Sequence, residues 1–435
     1  MTLPLARRRA ARALAARLFF FRRESPASSS SPSLASREVL AIACGAHALH
    51  DGFTDLLYVL LPIWQVGFGL DYAAVGALRA LTTATMAGLQ VPASALAKRA
   101  GGALVLAAGT VIAGLAYLLA GASAGLPTLA MALVVAGAGL STQHPIASSL
   151  VARAYQGGRS RIALGTYNFS GDIGKMAVPA ATAWLITRLG WRPAVSLAGL
   201  IGVAAAAVIA SRLHKRIATL PEPALPEAPA PPQQSAVPAN GPGNPAPLRM
   251  RPGFRQLMAI GVIDSATRMG FLTFLPFLLR MKGAQLPTIG VALTLVFAGG
   301  AAGKFVCGFL GERLGVTAAV ALTEGLTAAA IAALLPLSLA GSLALLPAIG
   351  IALNGTSSVL YGTVPEFAPA GGAERTFGIF YTGTIGGGAL SPVLYGFFGN
   401  VVGVPLMMAI LASIVLTTVP LAWLLRPALS PRARR

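Results

Sequence analysis

The sequence predicts an all-α membrane protein with twelve transmembrane helices in two halves of six. The first reason is composition, since 55% of the 435 residues are hydrophobic and only 11% are charged, whereas about a quarter of the residues of a soluble protein are charged. The second is a series of twelve hydrophobic runs, each long enough to cross a bilayer as a helix. The third is a repeat, because the last six runs resemble the first six at a constant offset of 214 residues.

The hydrophobic runs form two groups on either side of a polar segment. The N-terminal half, residues 38–213, contains runs at 38–66, 72–97, 103–122, 127–152, 162–187 and 193–213. The C-terminal half, residues 256–426, contains runs at 256–280, 287–310, 316–339, 342–364, 376–399 and 402–425.

Three polar segments lie outside the runs. Residues 1–37 carry eight arginines and a serine-rich stretch, which is typical of a disordered basic tail. Residues 214–255 have basic ends and a Pro/Ala-rich middle, the composition of a flexible linker. Residues 427–435 form a second basic tail.

The repeat extends to individual residues. Leu61-Pro62 corresponds to Leu275-Pro276 at the offset of 214 residues. Val75-Gly76 corresponds in the same way to Ile289-Gly290. Because both halves have six spans and run in the same direction, we expect them to be related by an axis along the membrane normal. Three further matches are Leu96, Arg99 and Gly101 with Leu310, Arg313 and Gly315.

Basic residues predict the orientation. If the N-terminus is cytoplasmic, 25 of the 33 lysines and arginines fall on the cytoplasmic side and four on the outside. The positive-inside rule therefore predicts a multi-pass membrane protein with both termini in the cytoplasm.

The first run contains ionisable groups that an apolar span normally excludes. At about 100° per residue they share one helix face. A charge facing lipid costs roughly 2.5 kcal/mol or more, so such a face normally lines a pathway or a proton relay. The alternative is that nearby cations neutralise the acids, or that water reaches them at the helix end. The polar face consists of His47, His50, Asp51, Thr54, Asp55 and Tyr58.

Other spans also contain charges. Two pairs of opposite charges are spaced to share a helix face: Asp172 with Lys175, three residues apart, and Asp264 with Arg268, four residues apart. In each pair the acid and the base could neutralise each other. Three further charges have no local partner and must pair across helices or face water. These are Arg79, Lys304 and Glu324. Such a dense ionic lining suits a polar or anionic solute and a proton-coupled cycle.

The loop between the eighth and ninth runs resembles the signature loop of major facilitator transporters, G-x-L-a-D-R-x-G. It reads Gly308-Phe-Leu-Gly-Glu312-Arg313-Leu-Gly315. In the first half the equivalent loop has Lys98 and Arg99, with lysine in place of the acid. The resemblance implies a cytoplasmic gate latch in the second half, and the alternative is a basic topology anchor.

The fourth and fifth runs resemble the fosmidomycin-resistance type of major facilitator exporter, with its H-P-x-x-S-x-x-A-R, G-G-R and N-x-x-G-x-x-G pattern. The matching segments are Gln143-His144-Pro145 through Arg153, Gly157-Gly158-Arg159 and Asn168 through Gly174. The resemblance implies a twelve-helix secondary transporter of the inner membrane that exports a small polar or anionic compound in exchange for protons. The alternatives are a proton-linked importer of an organic anion and a non-transporting receptor or scaffold.

These hypotheses assign three sets of residues. Proton coupling is assigned to His47, Asp51, Asp55 and Glu324. Substrate binding is assigned to His50, Tyr58, Arg79, His144, Asn168, Asp172, Lys175, Asp264, Arg268 and Lys304. The gate loops comprise Lys98, Arg99, Gly308, Glu312, Arg313 and Gly315.

Several functions are disfavoured. The two cysteines, Cys44 and Cys307, have no metal-ligand spacing, so no metal site and no disulfide is expected. The glycine-rich Gly383–Gly388 lacks the lysine of a phosphate loop, so no nucleotide is expected. We expect no cofactor, no enzyme activity and no nucleic acid partner. The expected partners are a small-molecule substrate, protons and the lipid bilayer, with the protein as a monomer.

Overall fold

The computed structural model describes residues 33–155, 158–217, 253–368 and 373–429. Most of the predicted linker and of the two predicted tails lies outside these residues. The first helix begins at Leu34, four residues before the predicted run, because the Ser33 side chain accepts a hydrogen bond from the Ser36 N–H at 3.1 Å and caps it.

The described part of the first half is helical apart from short turns. The fourth run divides in two, so that Pro145 lies in the first turn of a helix, where no N–H partner is needed. In chain order the helices are α1 (Leu34–Phe68), α2 (Tyr72–Ala100), α3 (Gly102–Ala122), α4 (Leu126–Leu140), α5 (Gln143–Ala154), α6 (Gly158–Leu189) and α7 (Trp191–Val208), then a π-helical turn (Ile209–Leu213) and α8 (His214–Ile217).

The second half follows the same plan. The eleventh run and most of the twelfth lie in one helix that is broken at Gly403, where φ is 78°, and the end of the twelfth run lies in the last helix. In chain order the helices are α9 (Phe254–Met281), α10 (Leu286–Leu314), α11 (Val316–Leu334), α12 (Leu339–Thr363), a 3₁₀ turn (Val364–Phe367), α13 (Ala373–Leu416) and α14 (Thr418–Leu429).

All twelve predicted runs fall on helical segments of the described chain. Eight described segments are long and apolar enough to cross a membrane, and the last of these, Thr376–Leu429, contains two predicted runs. The helices α1, α2 and α6 are outside this set, and these are the helices that carry His47, Arg79 and Asp172.

The repeat is visible in the helix boundaries. The helices α2 and α10 both begin and both end 214 residues apart. Each is followed by a glycine with positive φ, Gly101 at 92° and Gly315 at 78°, a conformation that glycine adopts without strain.

Buried apolar side chains form three clusters. The largest contains residues of both halves, including Tyr58 of α1 and Phe274 of α9. The other two are each confined to one half, one around Leu106 of α3 and one around Leu257 of α9. The halves therefore share a core at one end of the bundle and have separate cores at the other. We call the shared end, near residues 68–72 and 281–286, the closed end, and the other, near 98–102 and 313–316, the open end.

Candidate functional site

A cavity of about 510 Å³ lies between the two halves. Its lining is exposed at His144, Asn168 and Tyr381 and buried at Asp55 and Arg79. Because Asn168 and Tyr381 lie in the parts of α6 and α13 nearest the open end, the cavity opens there and ends at buried charges in the middle of the bundle.

Direct contacts between the halves shut the closed end. The Tyr72 backbone N–H donates to Asn400 Oδ1 at 2.7 Å. The Arg280 guanidinium donates to the Pro62 carbonyl at 3.0 Å. The Tyr72 ring also packs edge-on against Phe277, with 5.5 Å between ring centroids. The cavity is therefore accessible from one end of the bundle only.

Asp51 of α1 lies at the centre of a buried polar cluster. Its Oδ2 is 3.3 Å from Lys175 Nζ and 3.5 Å from His47 Nε2. Its Oδ1 is 3.8 Å from both His50 Nε2 and His144 Nε2. This single carboxylate thus connects α1, α5 and α6.

His47 is held in a fixed orientation. Its ring stacks on Tyr167 with 4.1 Å between centroids, and its Nδ1 donates to the Tyr167 carbonyl at 2.8 Å. Since a carbonyl only accepts, the Nδ1 carries a hydrogen. The buried Nε2 has no hydrogen-bond partner among the described residues, and it faces Asp51.

Two glycines let α6 approach α1 closely enough to form this cluster. A Cβ added to Gly174 would overlap the Ala48 carbonyl, and one added to Gly171 would overlap Asp51 Oδ2. These are the glycines of the N-x-x-G-x-x-G pattern, so the pattern has a packing explanation in this chain.

A second polar group lies deeper in the cavity. Arg79 donates to the Tyr58 hydroxyl at 3.1 Å and to Thr83 Oγ1 at 2.9 Å, and lies 4.0 Å from Asp55 Oδ1. The Tyr58 hydroxyl also contacts Met269 Sδ of α9 at 3.7 Å. The helices α1 and α9 therefore contact each other beside the cavity.

The second half contributes a cation. Arg268 donates to Ser357 Oγ at 3.0 Å and forms no ion pair with a carboxylate among the described residues. It lines the main cavity and an adjoining one of about 190 Å³, and Lys175 lines both as well. Arg268 is therefore available to an anionic group in the cavity.

The intramembrane charges pair between helices. Asp172 accepts from Lys304 of the other half at 2.7 and 2.6 Å, while Lys175 contacts Asp51. The local Asp172–Lys175 pair that their spacing allows is replaced by these two contacts. One of them, Asp172–Lys304, connects the halves.

Asp264 and Glu324 lie apart from the cavity lining. Both are buried in the second half, and their carboxyl groups lie in hydrogen-bonding contact with each other. Glu324 also contacts Thr356. The structure thus places Asp264, predicted to bind substrate, beside Glu324 and outside the lining of both cavities, although it contacts Ser357, the serine to which Arg268 donates.

The gate loops lie exposed at the open end. Lys98, Arg99, Glu312 and Arg313 form no ion pair among the described residues, and Arg313 lies over the Phe309 ring at 4.4 Å. Gly308 has open space around it, and Gly315 forms the turn after α10. The latch in the second half stays a prediction, since no ion pair holds these loops together among the described residues.

Sequence reasoning missed several lining residues because single serines, glutamines and tyrosines in apolar spans carry no charge signal. Some of them recur at helical spacing on one face of α12, which is a usable signal. The residues missed in the two cavities include Gln90, Ser148, Tyr167, Ser265, Met269, Asn354, Ser357, Tyr361 and Tyr381.

A family model described as Major Facilitator Superfamily matches residues 43–256, slightly less than half of the chain. Comparison with curated protein sequences gives no match. The chain is similar to two solved structures of a bacterial homologue of the human lysosomal transporter Spinster, one inward-facing and occupied and one inward-facing and unoccupied. Their TM-scores are 0.72 and 0.74, each at 16% identity, with 92% of this chain and 100% of the other covered. The chain thus has the major facilitator fold.

Proposed function

We propose that this chain is a secondary transporter of the major facilitator superfamily that exports a small polar or anionic compound across the inner membrane in exchange for protons. The observation that carries the proposal is a charged cavity between two similar halves, open at one end and closed at the other. Such an arrangement serves alternating access, in which the halves rock around a central site. With both termini in the cytoplasm, the open end faces inward.

The lining favours a solute with an acidic group. Three cations line the main cavity, Arg79, Lys175 and Arg268, against the two carboxylates Asp51 and Asp55. Lys175 and Arg79 each have a carboxylate within 4.0 Å, whereas no carboxylate of the described residues lies within 4.0 Å of Arg268. We assign the acidic group of the solute to Arg268, because a guanidinium binds carboxylates and phosphates in bidentate geometry.

Proton coupling is assigned to Asp55. Asp51 has a lysine at 3.3 Å and three imidazoles close by, so protonating it would disrupt several contacts. Asp55 has one cation at 4.0 Å, Arg79, and therefore loses less on protonation. A solute that donates a hydrogen bond to Asp55 replaces its proton, and this competition is what antiport requires.

A second candidate is the proton-linked importer of an organic anion. The excess of lining cations favours it, because an anion without a donor for Asp55 would bind together with the protonated acid and move with it. Within the superfamily, the motifs from Gln143 to Gly174 support the fosmidomycin-resistance type and therefore export.

The test begins with a thermal-shift screen of polar antibiotics, phosphonates and organic acids on the purified protein, since a bound ligand raises apparent stability. Each hit is then added to proteoliposomes that contain a pH-sensitive dye. Movement of the solute against the proton flow supports export, and movement with the protons supports the importer. A hit that binds but moves neither protons nor solute contradicts both.

A further inference from the structure

Four side chains that are separated in the sequence meet at the wall of the cavity. We call His47, His50, Asp51 and His144 the His–Asp cluster. Ligand atoms of His47, Asp51 and His144 all lie within 4.8 Å of one another. His50 Nε2 adds a further nitrogen, 3.2 Å from His144 Nε2 and 3.8 Å from Asp51 Oδ1.

The distances in this cluster suit a small tetrahedral metal ion. Zinc binds imidazole nitrogen and carboxylate oxygen at about 2.0 to 2.2 Å, so neighbouring ligand atoms of a tetrahedral site lie about 3.3 to 3.6 Å apart. The separations within the cluster include 3.2 Å for His50–His144, 3.5 Å for His47–Asp51 and 3.8 Å for His144–Asp51, and the ligand atoms of His47, Asp51 and His144 all lie within 4.8 Å of one another. Completing the tetrahedron needs rotations of these side chains that bring the ligand atoms to this spacing.

His47 has a buried ring nitrogen that faces the other residues of the cluster and has no hydrogen-bond partner among the described residues. Its Nδ1 hydrogen is used on the Tyr167 carbonyl, which leaves a lone pair on Nε2 unless the ring is protonated. That buried lone pair points at Asp51 from 3.5 Å and has no hydrogen-bond partner among the described residues. A metal-bound histidine has the same arrangement, with its other ring nitrogen donating to a carbonyl and its lone pair on the cation.

We propose that the His–Asp cluster is a binding site for a divalent cation of the zinc class, with three imidazoles and one carboxylate as ligands. This donor set favours Zn²⁺, Co²⁺, Ni²⁺ or Cu²⁺ over Mg²⁺ and Ca²⁺, which prefer oxygen ligands. The ion enters from the cavity, because the His144 side chain is 44% exposed there. Binding does not depend on the transport proposed above, so the two can fail separately.

Lys175 is the competing cation. Its Nζ contacts Asp51 Oδ2, whereas His50 and His144 face Oδ1. Its side chain is 30% exposed toward the cavity, so it has room to move away. The metal and the ammonium group repel each other, and removing the ammonium should strengthen metal binding.

The probe is Co²⁺, added to the purified full-length protein carrying a tag without histidine. Tetrahedral Co²⁺ has intense visible absorption bands that aqueous Co²⁺ lacks. We expect one such Co²⁺ per chain, displaced by Zn²⁺. The variants His50→Gln and His144→Gln should each weaken binding by at least about tenfold. The matched control is His214→Gln, which changes the fourth histidine of the chain and should bind as wild type does.

Absence of the bands in the wild type, or equal bands in His144→Gln, would overturn the proposal. If the histidine variants do not yield folded protein, Co²⁺ binding to the variant Lys175→Met tests the proposal instead. Tighter Co²⁺ binding than in the wild type supports the cluster as the site, and unchanged or weaker binding overturns it.

Discussion

The closed end depends on a close contact between α2 and α13, and the variant Gly76→Leu tests it. A Cβ at Gly76 would overlap the Pro392 carbonyl and come within 2.8 Å of Val393 N. These are backbone atoms, so the clash cannot be relieved by a side-chain rotation. Overpacking costs about 1 to 3 kcal/mol, and about 3 kcal/mol shifts a two-state equilibrium by roughly 150-fold. Gly76→Leu should therefore favour a state in which the two halves are separated at the closed end.

The assay is a distance measurement by pulsed electron paramagnetic resonance between spin labels at Asp71 and Val401. Both positions lie at the closed end, one in each half, and Val401 is 67% exposed. Cys44 and Cys307 are first replaced by alanine. The matched control is Gly88→Leu on the same helix, where a Cβ meets open space. We expect a longer distance between the labels in Gly76→Leu and an unchanged distance in Gly88→Leu. An unchanged distance in Gly76→Leu would refute the reasoning.

Two further substitutions test the charges of the cavity. Arg268→Gln should weaken binding of an anionic hit from the thermal-shift screen by about 10- to 100-fold, because a hydrogen bond to a charged group contributes about 1.5 to 3 kcal/mol; equal affinity by calorimetry would contradict the role assigned to Arg268. Lys304→Met should lower the free energy of unfolding by about 1 to 2 kcal/mol and the melting temperature by a few degrees. The reason is that it leaves buried Asp172 without the half-exposed partner that it contacts at 2.6 Å. The double variant Asp172→Asn/Lys304→Met should recover part of this loss, and purely additive effects would exclude a coupled pair.

Most of the fold can be predicted from the sequence, because a bilayer requires long apolar runs and a duplication repeats their boundaries. The sequence does not reveal how far the halves are separated at each end. That separation depends on packing between residues such as Tyr72 and Asn400, which are far apart in the chain. The hydrophobic runs also do not mark the start of helix α1 at Leu34, which depends on the Ser33 cap.

Only part of the candidate site can be predicted from the sequence. The helical period places Asp51 and Asp55 on one face, and both line the cavity. The partners could not be assigned, because Asp172 has Lys175 three residues away and yet pairs with Lys304 of the other half. The His–Asp cluster could not be predicted for the same reason, since His144 joins it from a separate span. The spacing of its residues in the sequence also matches no metal-binding motif.

Uphill transport by reconstituted Asp55→Asn protein tests the central claim most directly. The matched control is Asp71→Asn, because asparagine can keep the cap that Asp71 makes with the Ala74 N–H at 2.7 Å. The wild type and the control should accumulate a screened solute when a pH gradient is imposed. Asp55→Asn should exchange solute for solute and accumulate none against the gradient. Wild-type accumulation by Asp55→Asn would contradict the assignment of proton coupling to Asp55.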